Sequence, residues 1–221
     1  MDTVRTVSDT KRDFYIHHSR PINSIYRRFV EELVVEMHLL SVNLDFSYNP
    51  IYALGVFTSF ERFMQGYRPE ADRESIFNAL CQSVVGNPDQ YRQDAREMLH
   101  QAKEMSATAL IESLNSPQAT NSRLVEILRE VAQNPRFKYS RLFVIGLYAI
   151  LAEAEPESIK KLETRNQILQ QLSAALNLPA EKLQKDLDLY RTNLDKMDQL
   201  LSVIEEALEA DRKKRETAET T

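Results

Sequence analysis

Leu142-Phe-Val-Ile-Gly-Leu-Tyr-Ala-Ile-Leu-Ala152 is the longest apolar run in this chain of 221 residues. A helix that spans a bilayer needs about 20 apolar residues, so these eleven residues predict a buried helix rather than a membrane span. Because the run is apolar on nearly all of its sides, we place this helix, at residues 138–154, in the centre of a helical bundle.

Prolines and apolar periodicity predict the helices on either side of this run. Proline is tolerated in the first turn of a helix and disrupts its interior, so each of the eight prolines is taken to mark a helix start or the linker before one. Residues 22–40 carry a wide apolar stripe at spacings of three and four, which is typical of an amphipathic helix. The predicted helices lie near residues 8–18, 21–41, 50–65, 69–85, 88–105, 107–115, 121–133, 138–154, 157–177 and 179–212.

The chain has only four glycines, where average usage would give roughly 15. Hairpins and barrels need glycine at turns with positive φ, and a phosphate-binding loop needs several glycines close together. We therefore predict an all-α fold, a multi-helix bundle, with no small-molecule substrate. Gly66 and Gly86 are predicted helix caps, whereas Gly55 and Gly146 are predicted sites of close helix–helix approach.

The last predicted helix carries a narrower stripe than the others. Apolar residues recur there at spacings of four and three over more than three heptads, at Leu183, Leu187, Tyr190, Leu194, Met197, Leu201, Ile204 and Leu208. This pattern predicts either a coiled-coil hairpin with helix 157–177 or an unfilled surface for a partner helix. The predicted organisation is a helical bundle at 1–155, a C-terminal helical or coiled-coil arm at 156–212 and a disordered tail at 213–221.

Charge is unevenly distributed along the chain. The net charge of −5 gives no reason to expect nucleic acid as a partner. Residues 1–28 nevertheless carry six basic and three acidic side chains, a local net charge of +3. This basic end, with Arg20, Arg27 and Arg28, predicts docking to an acidic partner or to an anionic membrane surface. The alternative is that Arg27 and Arg28 pair with the glutamates one turn further along their helix.

The residues that could carry chemistry do not form a complete site. Glu97 and His100 have the Glu-x-x-His spacing of di-iron bundles, but the second pair that such a site requires is missing. A metal-binding bundle enzyme is therefore the least favoured alternative, and we predict an ion-pair network here, with no metal and no cofactor. Cys81 has apolar neighbours and is predicted to be a buried structural cysteine. The N-terminus lacks the apolar segment of a signal peptide.

Arg20-Pro-Ile-Asn-Ser-Ile-Tyr-Arg27 is the most distinctive of several stretches that follow one another along the chain. It is part of the stretch 17–28, and the others lie at residues 3–15, 31–40, 45–46, 50–55, 60–69, 77–81, 91–94 and 137–143. Together they resemble the thylakoid formation family, the photosystem II biogenesis factors of cyanobacteria and plants. The resemblance weakens toward the C-terminal arm.

This resemblance implies a non-catalytic role in photosystem II biogenesis and repair and in thylakoid formation. It implies association with the membrane FtsH protease complex, which removes damaged reaction-centre protein, and hence a cytoplasmic protein peripherally associated with the thylakoid membrane. The chain starts at the first block of the family, without a transit peptide, and so looks like a cyanobacterial member. The family has no catalytic residues to carry over.

Two surfaces are predicted to bind the partner. The first is the basic N-terminal region with Arg20, Arg27 and Arg28. The second is the heptad face of the arm, which comprises Tyr190, Leu194, Met197 and Leu201. A rigid bundle that presents one helix suits helix-in-groove or coiled-coil pairing. Direct binding to the anionic lipid surface of the thylakoid is the alternative to a protease partner.

Overall fold

The computed structural model describes residues 5–116, 118 and 121–219, and this part of the chain forms helices without a strand. The predicted all-α fold and its long C-terminal helix are thereby confirmed. The described helices are α1 (Val7–His17), α2 (Ser24–Ser41), α3 (Pro50–Phe63), α4 (Glu70–Ser83), α5 (Pro88–Lys103), α6 (Ala107–Asn115), α7 (Arg123–Gln133), α8 (Arg141–Ala154), α9 (Pro156–Lys160), α10 (Leu162–Ala175) and α11 (Ala180–Glu219).

Several helices begin where the sequence signals place them. Pro50, Pro88 and Pro156 occupy the first turn of α3, α5 and α9, as predicted. The asparagines that precede Pro50 and Pro88 accept hydrogen bonds from backbone N–H groups of the first turn. These bonds satisfy N–H groups that have no partner within the helix, which fixes where α3 and α5 start.

The two central helices, α3 and α8, touch through their backbones. A Cβ atom built on Gly55 would lie 1.7 Å from the carbonyl oxygen of Leu142, and one built on Gly146 would lie 2.0 Å from that of Ile51. Only glycine leaves room for this approach, so the predicted close contact at Gly55 and Gly146 is confirmed. Helix α5 packs against both helices, and the apolar run at residues 142–152 is buried between its neighbours.

The cap at the end of α4 differs from the prediction. Gly66, after α3, has the expected left-handed backbone with φ of 76°. After α4 the left-handed residue is Val85, with φ of 62°, so the prediction for Gly86 is wrong. The N–H groups of Val85 and Gly86 bond to carbonyls in the last turn of α4, both at 2.9 Å, as in a Schellman motif. Gly86 is nevertheless closely packed, because a Cβ there would lie 3.0 Å from the ring of Tyr91.

The predicted helix at 157–177 is two helices, α9 and α10, separated at Lys161. Lys161 has an extended backbone, with φ of −82° and ψ of 121°. Ile159, just before the break, is buried in the apolar core, whereas Leu162, just after it, is 60% exposed. The prediction of one continuous helix at residues 157–177 is therefore wrong.

The chain divides after Leu187 into two compact units. The first contains α1 to α10 and the first turns of α11, where Leu183 and Leu187 belong to the same apolar cluster as Leu172 and Leu176 of α10. The second consists of the rest of α11, which ends at Glu219. The domain boundaries predicted at residues 155 and 212 stay predictions, and residues 220–221 of the predicted tail lie outside the described residues.

Candidate interaction surfaces

Arg20 lies between α1 and α2 and pairs with a buried carboxylate of α4. Its guanidinium is 2.6 Å from Oδ1 of Asp72, whose side chain is only 5% exposed, while that of Arg20 is 60% exposed. A buried carboxylate without a cation is strongly destabilising, so Arg20 serves as an internal counterion. Nearby, Nδ1 of His18 lies 2.9 Å from Oγ of Ser75, and burial lowers the pKa of His18.

The other cations near the N-terminus are also paired within the bundle. Arg5 and Arg12 pair with aspartates of α1. Lys11 donates to Glu31 of α2 at 3.0 Å, and this bond is the largest of the effects that lower the pKa of Glu31. A second bond to Glu31 comes from the Tyr15 hydroxyl at 3.1 Å. Much of the positive charge of this region is therefore neutralised at close range.

Arg27 and Arg28 line a surface groove of about 960 Å³ that runs along α2. One wall is the outward face of α2 with Lys11 of α1, and the other is formed by residues 138–141, which lead into α8, and by Lys182 and Asp186 of α11. All of these residues belong to the compact unit that ends at Leu187. The groove therefore brings together three segments that are far apart in the sequence.

The α2 wall is charged at one end and largely apolar at the other. Arg28 donates to Glu32 at 2.9 Å, which confirms the pairing predicted for it. Arg27 is exposed and makes no ion pair within the described part of the chain, although its charge helps to lower the pKa of Glu31, which is bonded to Lys11 and Tyr15. The pairing predicted for Arg27 is therefore wrong. Further along the same face Val35 is half-buried, and Leu39 is 56% exposed.

The opposite wall carries a second set of internal bonds. Arg141 donates to Glu36 of α2 at 2.5 Å, which joins the two walls of the groove. The Tyr139 hydroxyl donates to Asp186 at 2.7 Å, and burial together with this bond raises the pKa of Tyr139. The Lys182 ammonium lies over the Tyr139 ring, 4.4 Å from its centroid. Lys138 is exposed.

The four heptad residues of the arm that were predicted to bind a partner lie in the second unit and differ in exposure. Tyr190 and Leu194 are buried, whereas Met197 and Leu201 are half-buried. Two apolar side chains outside the predicted stripe, Leu200 and Val203, are exposed on the same stretch of α11. Apolar surface therefore becomes more accessible toward the distal part of this helix. The partner-binding role predicted for the four heptad residues, like that of Arg20, Arg27 and Arg28, stays a prediction.

The residues considered for catalysis are engaged in structural contacts. Glu97 accepts from Arg123 at 2.6 Å and from Gln101 at 3.2 Å, and Nε2 of His100 lies 3.6 Å from Glu104. The predicted ion-pair network is confirmed. In the described residues, no three histidine, cysteine or acidic side chains lie close enough to hold a metal ion.

Cys81 is completely buried, as predicted for a structural cysteine. Burial raises the pKa of its thiol to about 12. The thiolate, which is the reactive form, is therefore scarce near neutral pH.

Sequence reasoning found α2 but missed the far wall of its groove. Lys138, Lys182 and Asp186 are not spaced in any pattern that points to α2, because the tertiary fold alone brings them there. One weak signal existed for Lys138, which lies in the stretch 137–143 that contributes to the family resemblance.

Comparison with known proteins identifies the family. A family model described as thylakoid formation protein matches residues 6–219. The chain belongs to this family. Protein Thf1 of Gloeothece citriformis (strain PCC 7424) is 64% identical over 219 residues, which cover 98% of this chain and 97% of that protein. Protein Thf1 of Synechocystis sp. (strain ATCC 27184 / PCC 6803 / Kazusa) is 55% identical over 217 residues, covering 98% and 90%.

A solved structure of Psb29 has the same fold as this chain. The two share 48% of their residues, with a TM-score of 0.84 over 96% of this chain and 98% of the Psb29 chain. Membership of the family supports a role in thylakoids that is related to photosystem II, and the family is not a known enzyme family. None of the helices described is both long enough and apolar enough to cross a membrane.

Proposed function

We propose that this thylakoid formation protein is a non-catalytic helical adaptor for photosystem II biogenesis and repair, which binds and stabilises the membrane FtsH protease complex. The thylakoid role follows from the family. The protease partner is what the family resemblance of the stretches between residues 3 and 143 implies. Peripheral association with the thylakoid membrane would then come through the protease.

The groove beside α2 is the observation that carries the adaptor role. It combines an accessible apolar segment at Leu39 with cations that form no ion pair with any described residue, and such a mixture of apolar and charged surface suits a protein partner. By contrast, Cys81 is inaccessible and Glu97 is bonded to two neighbours. The described surface therefore supports binding better than chemical turnover.

Affinity isolation of the full chain from solubilised thylakoids tests this proposal. We expect FtsH subunits to co-purify with the wild type, and Arg27→Glu or the double variant Met197→Glu/Leu201→Glu to recover less of them. Arg62→Glu, which reverses an exposed arginine on α3 outside the groove, is the matched control and should recover as much as the wild type. Absence of FtsH subunits from wild-type isolates would refute the adaptor role.

Direct binding to anionic lipid is a second candidate, supported by the exposed cations Arg27 and Lys138. Arg5, Lys11 and Arg12 offer less support, because each already faces a carboxylate. Flotation with anionic vesicles should then be salt-sensitive and should be reduced by charge reversal at Arg27 and Lys138. Equal flotation with neutral and anionic vesicles would eliminate this candidate.

A further inference from the structure

The groove beside α2 has an excess of positive charge that its own carboxylates cannot neutralise. Six basic and four acidic side chains line it, a local net charge of +2 on a chain whose net charge is −5. All four carboxylates already accept a hydrogen bond from a neighbour in or beside the groove. Arg27, Lys138 and Lys182, in contrast, form no ion pair with any described residue.

These three cations lie on both walls of the groove. Arg27 is on α2, Lys138 precedes α8 and Lys182 is in the first turns of α11, where it contacts the ring of Tyr139. Cations on two facing walls attract an acidic segment placed between them and repel a basic one. Charge complementarity therefore indicates that the segment of the partner that enters the groove is negatively charged.

The apolar part of the groove defines the shape of the partner. Arg28, Glu32, Val35 and Leu39 recur at spacings of four, three and four on the outward face of α2, opposite the buried stripe of the same helix. Charged residues occupy the first half of this face and apolar residues the second half. From Arg27 to Leu39 the helix rises about 18 Å, which matches roughly three turns of a partner helix laid alongside.

We propose that this groove binds an acidic amphipathic helix of a partner protein, with its carboxylates between Arg27 and Lys138 and its apolar side chains on Val35 and Leu39. This inference deepens the proposed function, and rests on it for the identity of the complex that supplies the helix. The chemistry of recognition does not depend on which complex that is.

Fluorescence anisotropy with a designed probe peptide tests the groove directly. The probe is a fluorescein-labelled peptide of about 21 residues, an amphipathic helix of Glu, Ala and Leu long enough to be helical when bound. A matched peptide carries Lys in place of every Glu. We expect the full chain to bind the acidic peptide at least about tenfold more tightly than the basic one, and its binding to weaken with added salt.

Variants in the full chain locate the binding site. Arg27→Glu/Lys138→Glu should weaken binding of the acidic peptide by about tenfold, and Leu39→Glu should weaken it as well, because one apolar contact is lost and a like charge is gained. Arg27→Lys keeps the charge and should bind as the wild type does, within about twofold. Arg62→Glu is the control outside the groove, and circular dichroism shows whether each variant is folded.

Four outcomes would overturn the inference. The first is no difference between the acidic and basic peptides, and the second is equal weakening by Arg62→Glu and Arg27→Glu. The third is binding of anionic vesicles, but not of the peptide, through Arg27 and Lys138, which would assign the groove to lipid. The fourth is a dimer in sedimentation velocity that Arg27→Glu abolishes, which would assign it to a second copy of the chain.

The peptide experiment and the thylakoid isolation fail independently. If FtsH subunits co-purify with the chain but the acidic peptide does not bind, the adaptor role stands and the inference about the groove is wrong. If the peptide binds through Arg27 but no FtsH subunit co-purifies, the groove stands as a binding site and the proposed partner is wrong.

Discussion

Replacing Gly55 with alanine would force the two central helices apart. The new Cβ would lie 1.7 Å from the carbonyl oxygen of Leu142, and since real Cβ atoms essentially never come within 3.0 Å of such an atom, the backbones must separate by at least 1.3 Å. A gap of 0.5–1 Å already removes about a quarter to a half of the dispersion energy of each contact across it. The partners lost would include Ile51 and Leu147, both in the main apolar core.

The expected size of this effect follows from two opposing contributions. Alanine favours a helix over glycine by about 1 kcal/mol. Overpacking a core costs about 1–3 kcal/mol and occasionally more, and here the obstacle is a rigid backbone carbonyl rather than a side chain that can rotate. The upper end of the overpacking cost, about 3 kcal/mol, less the gain in helix propensity of about 1 kcal/mol leaves an expected loss of about 2 kcal/mol in the free energy of unfolding for Gly55→Ala.

Urea unfolding followed by circular dichroism at equilibrium measures this change. With a slope of about 2 kcal/mol per molar urea, the midpoint should fall by roughly 1 M. Thr58→Ala, at a half-buried position of the same helix, is the control and should change the stability by less than about 1 kcal/mol. A Gly55→Ala protein as stable as the wild type would refute the reasoning, because the two backbones would then not be held in contact.

Three further perturbations test other features of the structure. Val85→Asn should raise the free energy of unfolding by about 1 kcal/mol, since asparagine tolerates the left-handed backbone better than a β-branched residue; an unchanged urea midpoint would contradict this. Cys81 should react with a thiol reagent at about pH 8 only after unfolding, because burial raises its pKa to about 12, and prompt labelling of folded protein would show access that the structure denies. Burial lowers the pKa of His18 and His38, so the unfolded chain binds more protons below the ordinary histidine pKa of 6.5, and the free energy of unfolding should fall from about pH 7 to about pH 5. A His38→Gln variant that keeps the full pH slope would exclude His38 as a contributor.

Local signals in the sequence were enough to predict the helices and their central contact. Prolines at the first turn mark the start of α3 and α5, and a glycine inside an apolar helix indicates a neighbour too close for a side chain, as at Gly55 and Gly146. The burial of Cys81 followed from its apolar neighbours. In each case the deciding information lies within one or two turns of the residue.

Features that depend on tertiary contacts could not be predicted in this way. Nothing around Lys161 signals a helix break, and the burial of Ile159 beside it depends on the core of the assembled bundle. The left-handed backbone of Val85 contradicts the usual preference for glycine, and its neighbour Gly86 instead packs closely beside Tyr91. Likewise, the groove depends on Lys138 and Lys182, which reach α2 only through the fold.

The backbone contact between α3 and α8 also has a consequence during synthesis on the ribosome. Gly55 and Gly146 are separated by 91 positions in the chain, and translation proceeds at about 5–20 residues per second, so α3 is made roughly 5–18 seconds before its partner exists. During that interval its apolar side chains lack the surface that later covers them. A nascent chain stalled before α8 should therefore bind chaperones and be cleaved readily by proteases, and both properties should disappear once α8 has emerged.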